Sequence, residues 1–122
     1  MLVEDESEQL EVLTLMFESE GYTVLSAESA EKALEMLKSS VTHLIVSDVK
    51  LPGMDGFSFY DKIREQPSWK RIPFMFITGY NDPISIERVM KLGPIAYITK
   101  PYNLEDLMNM VRTNIAAERK PT

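Results

Sequence analysis

A few acids, one threonine and one lysine of this 122-residue chain could do chemistry together: Glu4, Asp5, Asp48, Thr78 and Lys100. Carboxylates held close together repel one another at neutral pH, so such a cluster is tolerated mainly when a cation neutralises it. Oxygen ligands without any cysteine favour a hard ion, and Mg²⁺ uses only one or two carboxylates while keeping several waters. If folding gathers these acids, they predict a magnesium site.

A carboxylate beside a bound cation can also attack phosphorus. Asp48 would then become an aspartyl phosphate, with Lys100 as the fixed cation that screens the incoming oxygens. Thr78 would donate a charge-assisted hydrogen bond to a phosphoryl oxygen. These residues therefore predict transfer of a phosphoryl group to a side chain.

The stretch from His43 to Gly56 indicates how Asp48 is positioned. Residues 44–46 form a short apolar run, typical of a strand buried on both faces, and the strand is predicted to end at Asp48. Turn dipeptides follow, and a helical pattern begins after Gly56. An acid at the carboxyl end of a parallel strand faces the crevice where α/β proteins bind ligands. The lone histidine precedes the strand at its other end, so it is predicted to be neither a ligand nor a phosphodonor.

Strands and helices alternate along the whole chain. The predicted strands span residues 1–3, 23–25, 44–48, 74–77 and 95–98. The predicted helices run from Ser7 to Gly21, from Ser29 to Leu37, from about Phe57 to Pro67, from about Ile84 to Leu92, and from Asn103 onward. Short connections between such elements require a parallel sheet with right-handed crossovers and helices on both faces, a doubly wound α/β fold.

Three polar residues are predicted to cap helices, namely Ser7, Ser29 and Asn103. The last helix carries the broadest apolar stripe of the chain, formed by Leu104, Leu107, Met108, Val111 and Ile115. We predict that residues 1–118 form one domain and that residues 119–122 form a tail.

The composition excludes several classes of function. The net charge of −6, from 13 basic and 19 acidic residues, argues against direct binding to nucleic acid. No apolar run is long enough to cross a bilayer, and no membrane partner is expected. The chain has no cysteine and no signal-peptide pattern, which predicts a cytoplasmic protein.

Several motifs together resemble the receiver domain of bacterial two-component response regulators, over essentially the whole chain. They are Glu4-Asp5, Asp48 followed by Leu51-Pro-Gly-Met-Asp-Gly56, Thr78-Gly79, and Lys100-Pro101. The resemblance implies a flavodoxin-like receiver fold with five strands in the order 2-1-3-4-5 and five helices. It also implies a cis peptide bond between Lys100 and Pro101.

The resemblance assigns roles to individual residues. It implies that Asp48 is the phosphoacceptor and that Asp5 binds Mg²⁺ directly. Glu4 is expected to hold a metal-bound water, and the backbone carbonyl of Lys50 is expected to complete the protein ligands.

The remaining roles concern the response to phosphorylation. Thr78 and Lys100 match the residues that bind the phosphoryl group, and Tyr97 matches the aromatic residue whose rotamer reports phosphorylation. The resemblance implies a signalling switch, not a turnover enzyme, with a histidine kinase or histidine phosphotransfer protein as the partner. Its output surface is expected to comprise helix four, strand five and helix five. Output would then pass through protein contact, dimerisation on phosphorylation, or an effector domain absent from this sequence.

The chain departs from the family pattern at three positions and at its start. Gly79 and the bulky Tyr80 follow the threonine, where a small residue such as alanine is usual, which predicts altered phosphoryl access. Pro94 replaces an alanine after Gly93 and removes a backbone donor. The first strand lacks its early residues, as in a receiver cut from a longer protein.

Two other functions stay open at this point. One is a Mg²⁺-dependent phosphatase of the haloacid-dehalogenase type that turns over an aspartyl phosphate. Such enzymes place a second acid two residues after the nucleophile, and that position here is Lys50. The other is a pseudo-receiver that only docks partners, against which the complete set of acid, threonine and lysine argues.

Overall fold

The computed structural model describes residues 1–79, 81–93 and 95–119. Within these residues, strands and helices alternate from end to end. The strands are β1 (Leu2–Val3), β2 (Ser26–Ala27), β3 (Ile45–Asp48), β4 (Phe74–Gly79) and β5 (Ala96–Lys100). The helices are α1 (Ser7–Ser19), α2 (Ala30–Leu37), α3 (Gly56–Glu65), α4 (Pro83–Lys91) and α5 (Leu104–Arg119).

The strands form one parallel sheet in the order β2-β1-β3-β4-β5, as the resemblance predicted. The register places Asp48 opposite Ile77 and Thr78 opposite Thr99. Because all strands run in the same direction, their carboxyl ends meet at one edge of the sheet. The peptide bond between Lys100 and Pro101 is cis, again as predicted.

Helices cover both faces of the sheet, which confirms the doubly wound fold. On one face, α1 and α5 bury a cluster that includes Leu13, Val46, Met75, Ile77, Leu107 and Val111. On the other, α2, α3 and α4 bury a cluster that includes Ala33, Ile45, Phe59, Phe74, Phe76 and Val89. Successive residues of β3 and β4 thus point to opposite faces and are buried on each, which explains their uninterrupted apolar runs.

The prediction of β2 at residues 23–25 is wrong, because the strand lies at Ser26–Ala27. A strand forms where a neighbouring strand pairs with it, and β1 pairs Leu2 with Ser26 and Val3 with Ala27. In that register, residues 23 and 24 have no residue of β1 opposite them. Apolar and β-branched character alone therefore placed the strand too early.

Other boundaries differ by smaller amounts. Ser7 is the first residue of α1 instead of its cap, and the N-cap position is held by Glu6, whose side chain makes no capping hydrogen bond. Ser29 and Asn103 do cap, each accepting a hydrogen bond from a backbone N–H three residues later. Leu104 belongs to the predicted stripe of α5 but is 37% exposed, and it is the first residue of that helix.

β4 and β5 extend further than predicted, through Gly79 and Lys100, since the pairing of Thr78 with Thr99 and of Gly79 with Lys100 continues the ladder. Five residues lie outside the described ones: Tyr80, Pro94 and residues 120–122. The last three belong to the predicted tail. Arg119, the first residue of that predicted tail, is the last residue of α5. Among the described helices, none has the length and apolar character needed to span a membrane.

Candidate metal and phosphoacceptor site

Three carboxylates meet where β1 and β3 end. Glu4 and Asp5 directly follow β1, and Asp48 is the last residue of β3. One carboxylate oxygen from each of the three lies within 4.8 Å of the others. Glu4 and Asp48 are buried, with 1% and 8% of their surface exposed, whereas Asp5 is exposed. The predicted acid cluster is therefore present, open to solvent on the side of Asp5.

Lys100 reaches this cluster from the end of β5. Its Nζ donates a hydrogen bond to Asp48 Oδ2 at 2.8 Å and lies 3.5 Å from Glu4 Oε1. The side chain is 31% exposed, so its charge is partly shielded from water. One ammonium group thus faces two buried carboxylates, and with Asp5 the cluster keeps an excess negative charge that a cation would neutralise.

Two buried groups at this edge make no hydrogen bond to the described residues. They are the carboxylate of Glu4, through both oxygens, and the hydroxyl of Thr78. Burying a polar atom without a partner costs free energy, so such atoms usually mark a place for a bound ion, water or ligand. The residues present therefore fit an Mg²⁺ ion near Glu4 and an oxygen-rich group near Thr78.

Burial, together with the neighbouring Asp48 carboxylate, raises the pKa of Glu4 from its ordinary value of 4.5 to about 8, although Lys100 opposes the rise. In metal-free protein, the folded chain therefore holds a proton on Glu4 that the unfolded chain has lost above its ordinary pKa. The stabilisation from this proton is complete below that ordinary value and is lost as the pH rises through about 8.

We therefore predict that, in the presence of a chelator, the contribution of Glu4 to the free energy of unfolding falls as the pH rises from about 5 to about 8, because unfolding releases the proton that the folded chain keeps on Glu4. Urea unfolding at several pH values measures this dependence. Glu4→Gln should flatten the slope, whereas Glu35→Gln, at an exposed acid that pairs with Lys38, should leave it unchanged. A slope equally steep in Glu4→Gln would show that another group carries it.

The loop after β3 fixes the acceptor through its backbone. The backbone N–H of Lys50 donates to Asp48 Oδ1 at 3.1 Å, while the Lys50 side chain extends outward to pair with Asp82 at 3.5 Å. At the far end of the loop, the backbone N–H of Gly56 donates to the Val49 carbonyl at 2.8 Å. The loop therefore folds back so that α3 begins against the backbone of the acceptor strand.

Tyr97 occupies a different environment from the charged residues. It lies in β5 opposite Phe76, is half-buried, and packs against the apolar cluster under α2, α3 and α4. The lone histidine, His43, is exposed just before β3, at the end of the sheet opposite to the acids.

Sequence reasoning missed two residues of this site. Gln9, in the first turn of α1, accepts a hydrogen bond from Lys100 at 3.0 Å across 91 positions of the chain. Gly56 was predicted as a turn residue, but the structure adds that a Cβ at this position would clash with the backbone of Asp48 and Val49. The available signal was the position of Gln9 in the first turn of α1. That helix begins shortly after Glu4 and Asp5, at the edge of the sheet where the acids lie.

The fold and the acid cluster together define an α/β domain of the flavodoxin-like type with an acidic cluster at the carboxyl edge of its sheet. Residues 1–112 match the family described as "Response regulator receiver domain". The chain therefore belongs to the receiver domains of two-component response regulators.

Individual relatives agree with this assignment. An uncharacterised 14.6 kDa protein of Leptolyngbya boryana is 32% identical, over 92% of this chain and 86% of that protein. Nodulation protein W of Bradyrhizobium diazoefficiens is 32% identical over 98% of this chain, which spans only 52% of that protein. The solved receiver domain of a signal transduction histidine kinase from Syntrophus aciditrophicus superposes with a TM-score of 0.90 at 29% identity, covering 99% of this chain and 92% of that one.

Proposed function

We propose that this receiver domain is a phosphorylation switch whose acceptor is Asp48. The partner would be a histidine kinase or a histidine phosphotransfer protein, and the exchange would take place in the cytoplasm. The observation that carries the proposal is the position of Asp48, a buried carboxylate that lies within 4.8 Å of two further acids and 2.8 Å from the ammonium of Lys100. That arrangement supplies a nucleophile together with a fixed positive charge.

The proposal includes Mg²⁺ because the acid cluster fits it. Asp5 and Asp48 would bind the ion directly, the backbone carbonyl of Lys50 would provide a third protein oxygen, and Glu4 would act through a bound water. When bound, the ion supplies positive charge that offsets both the carboxylates and the oxygens of the transferred group. Support for this assignment comes from the buried carboxylate of Glu4, whose oxygens accept no hydrogen bond from the described residues.

In the transfer step, a carboxylate oxygen of Asp48 forms a bond to phosphorus while the bond from phosphorus to the imidazole nitrogen of the donor histidine breaks. The electron pair of the broken bond stays on the imidazole, which then takes up a proton. Lys100 would stabilise the negative oxygens of the phosphoryl group, and the buried hydroxyl of Thr78 would donate a hydrogen bond to one of them. The domain would thus assist its own modification without turning over a substrate.

The output would arise from these new bonds. Shifting a population from about 1:99 to 99:1 takes about 5.5 kcal/mol of differential interaction, which a few charge-assisted hydrogen bonds to Thr78 and Lys100 can supply. Tyr97, half-buried on β5, would change rotamer and alter the surface of α4, β5 and α5. A downstream protein, an effector domain or a second phosphorylated copy would recognise that surface.

The alternatives make different predictions. Membership of the receiver family favours the switch over a phosphatase, and Lys50 stands where a phosphatase of the haloacid-dehalogenase type would carry its second acid. The docking alternative would leave the acid cluster without a chemical role, although the buried oxygens of Glu4 and Thr78 make no hydrogen bond to the described residues.

Intact-mass measurement after incubation with phosphoramidate and Mg²⁺ tests the proposal. We expect a gain of one phosphoryl group that disappears with a chelator and in Asp5→Ala, but persists in Glu8→Ala, an exposed acid on α1. No gain under any condition would favour the docking module, and continuous release of phosphate from small phosphoesters would favour the phosphatase.

A further inference from the structure

Gln9 connects the site to a second acid on the surface of α1. Its Oε1 accepts a hydrogen bond from Lys100 Nζ at 3.0 Å, and its Nε2 donates one to Glu6 Oε2 at 2.8 Å. Glu6 is the N-cap residue of α1 and Gln9 lies three residues later, so the helix geometry itself brings these two side chains together. The chain of contacts runs from Glu6 through Gln9 and Lys100 to Asp48.

The chemistry of the two neighbours fixes the orientation of the amide. An ammonium group can only donate hydrogen bonds, and an ionised carboxylate can only accept them. The Gln9 oxygen must therefore face Lys100, and the nitrogen must face Glu6. A flipped amide would place donor against donor and acceptor against acceptor, so Glu6 holds Gln9 in the orientation that Lys100 requires.

The ammonium of Lys100 has three N–H bonds, and three acceptors lie near it among the residues that the structure describes. Asp48 and Gln9 accept hydrogen bonds, and Glu4 lies at ion-pair distance. Two of these acceptors are acids in the cluster, whereas Gln9 is neutral and lies on the side of α1. Without Gln9, one N–H would turn to solvent, and the ammonium would be directed only by the two carboxylates.

We propose that Gln9 is a positioning residue: oriented by Glu6, it sets the direction of the Lys100 ammonium beside Asp48 and thereby the rate at which Asp48 is phosphorylated. This inference rests on the proposed function. Gln9 does not touch the reacting atoms and acts through Lys100. Because Gln9 and Glu6 are exposed, water competes for both hydrogen bonds, and the effect is correspondingly moderate.

The first test measures the rate of phosphorylation by phosphoramidate and, by NMR titration, the affinity for Mg²⁺. Gln9→Leu, which keeps the size but removes the acceptor, should slow phosphorylation about three- to tenfold, the size of one hydrogen bond, with unchanged Mg²⁺ affinity. Gln9→Glu restores an acceptor for Lys100 and should recover much of the rate. Gln66→Leu makes the same substitution at an exposed position after α3 and should have no effect.

The contact with Glu6 is tested by a double-mutant cycle. Glu6→Ala should slow phosphorylation, and this effect should vanish when Gln9 is already leucine, because the contact acts only through the amide. Equal effects of Glu6→Ala in both backgrounds would overturn the orienting role. A rate in Gln9→Leu equal to that of the unaltered protein would overturn the whole inference while leaving the proposed function intact.

A second measurement does not depend on activity. Relaxation of the Lys100 ammonium ¹⁵N reports how strongly this group is restrained, and Gln9→Leu should increase its motion while Gln66→Leu should not. If the unaltered protein takes up no phosphoryl group, the proposed function fails, but this comparison still decides whether Gln9 positions Lys100. Unchanged relaxation in Gln9→Leu would show that it does not.

Discussion

Replacing Asp48 with asparagine is expected to abolish phosphorylation and, in metal-free protein, to stabilise the fold. Asparagine has nearly the same shape, but its neutral amide oxygen is too weak a nucleophile to attack phosphorus. Uptake of a phosphoryl group from phosphoramidate should therefore fall below detection by intact mass. Retained uptake in Asp48→Asn, at any comparable rate, would mean that another side chain is the acceptor.

The predicted stabilisation follows from the charges around Asp48. The substitution removes one of three mutually repelling carboxylates and so lowers the pKa of the buried Glu4, to which Asp48 contributes. The asparagine oxygen can still accept the hydrogen bond from Lys100, so the substitution removes only the attraction between the two charges. Relief of repulsion should prevail, and we expect a gain of about 1–2 kcal/mol in the free energy of unfolding near pH 8.

Urea denaturation measures the difference in the free energy of unfolding between the unaltered protein and Asp48→Asn. It is carried out first with a chelator and then with Mg²⁺. Saturating Mg²⁺ should stabilise the unaltered protein more than Asp48→Asn, because the variant has lost a ligand and binds the ion less tightly. An equal increment in both proteins would contradict the assignment of Asp48 as a ligand. Asp61→Asn, an exposed acid on α3, provides the control and should change neither quantity.

Replacing Gly56 with alanine is expected to destabilise the protein strongly, although it stands in a helix. A methyl group at this position would overlap the backbone oxygen of Asp48 and lie 2.9 Å from the Cα of Val49. Both atoms belong to the backbone and cannot rotate away. Helix propensity favours alanine over glycine by about 1 kcal/mol, whereas a clash with fixed backbone atoms costs about 3 kcal/mol, at the upper end of the usual range for overpacking.

We expect a net loss of about 2 kcal/mol in Gly56→Ala, equivalent to a fall in Tm on the order of 5–10 °C. Because the clash displaces the backbone of Asp48, phosphorylation should also slow. Gly21→Ala is a matched comparison, since Gly21 has φ +90 but nothing within 4 Å of an added methyl group. It should cost only backbone strain of about 1 kcal/mol and leave the phosphorylation rate unchanged. A Tm unaltered in Gly56→Ala would mean that α3 moves away freely.

Local patterns were sufficient to predict much of the fold. The apolar runs of β3 and β4 mark strands buried on both faces, and the turn residues between Asp48 and Gly56 mark the connection to α3. β2 was misplaced, since its position depends on pairing with Leu2 and Val3 more than on its own composition. The extension of β5 to Lys100 depends in the same way on its pairing with β4.

The sequence by itself determined which groups stand at the ends of the strands, because the periodicity that marks a strand and the acid or lysine that follows it are both local. Only the tertiary structure decided how these groups act on one another. The register of the sheet brings Lys100 within 2.8 Å of Asp48, burial beside Asp48 raises the pKa of Glu4 to about 8, and the packing of α1 places Gln9 against Lys100. Such properties arise from distances between residues far apart in the chain, to which no local pattern is sensitive.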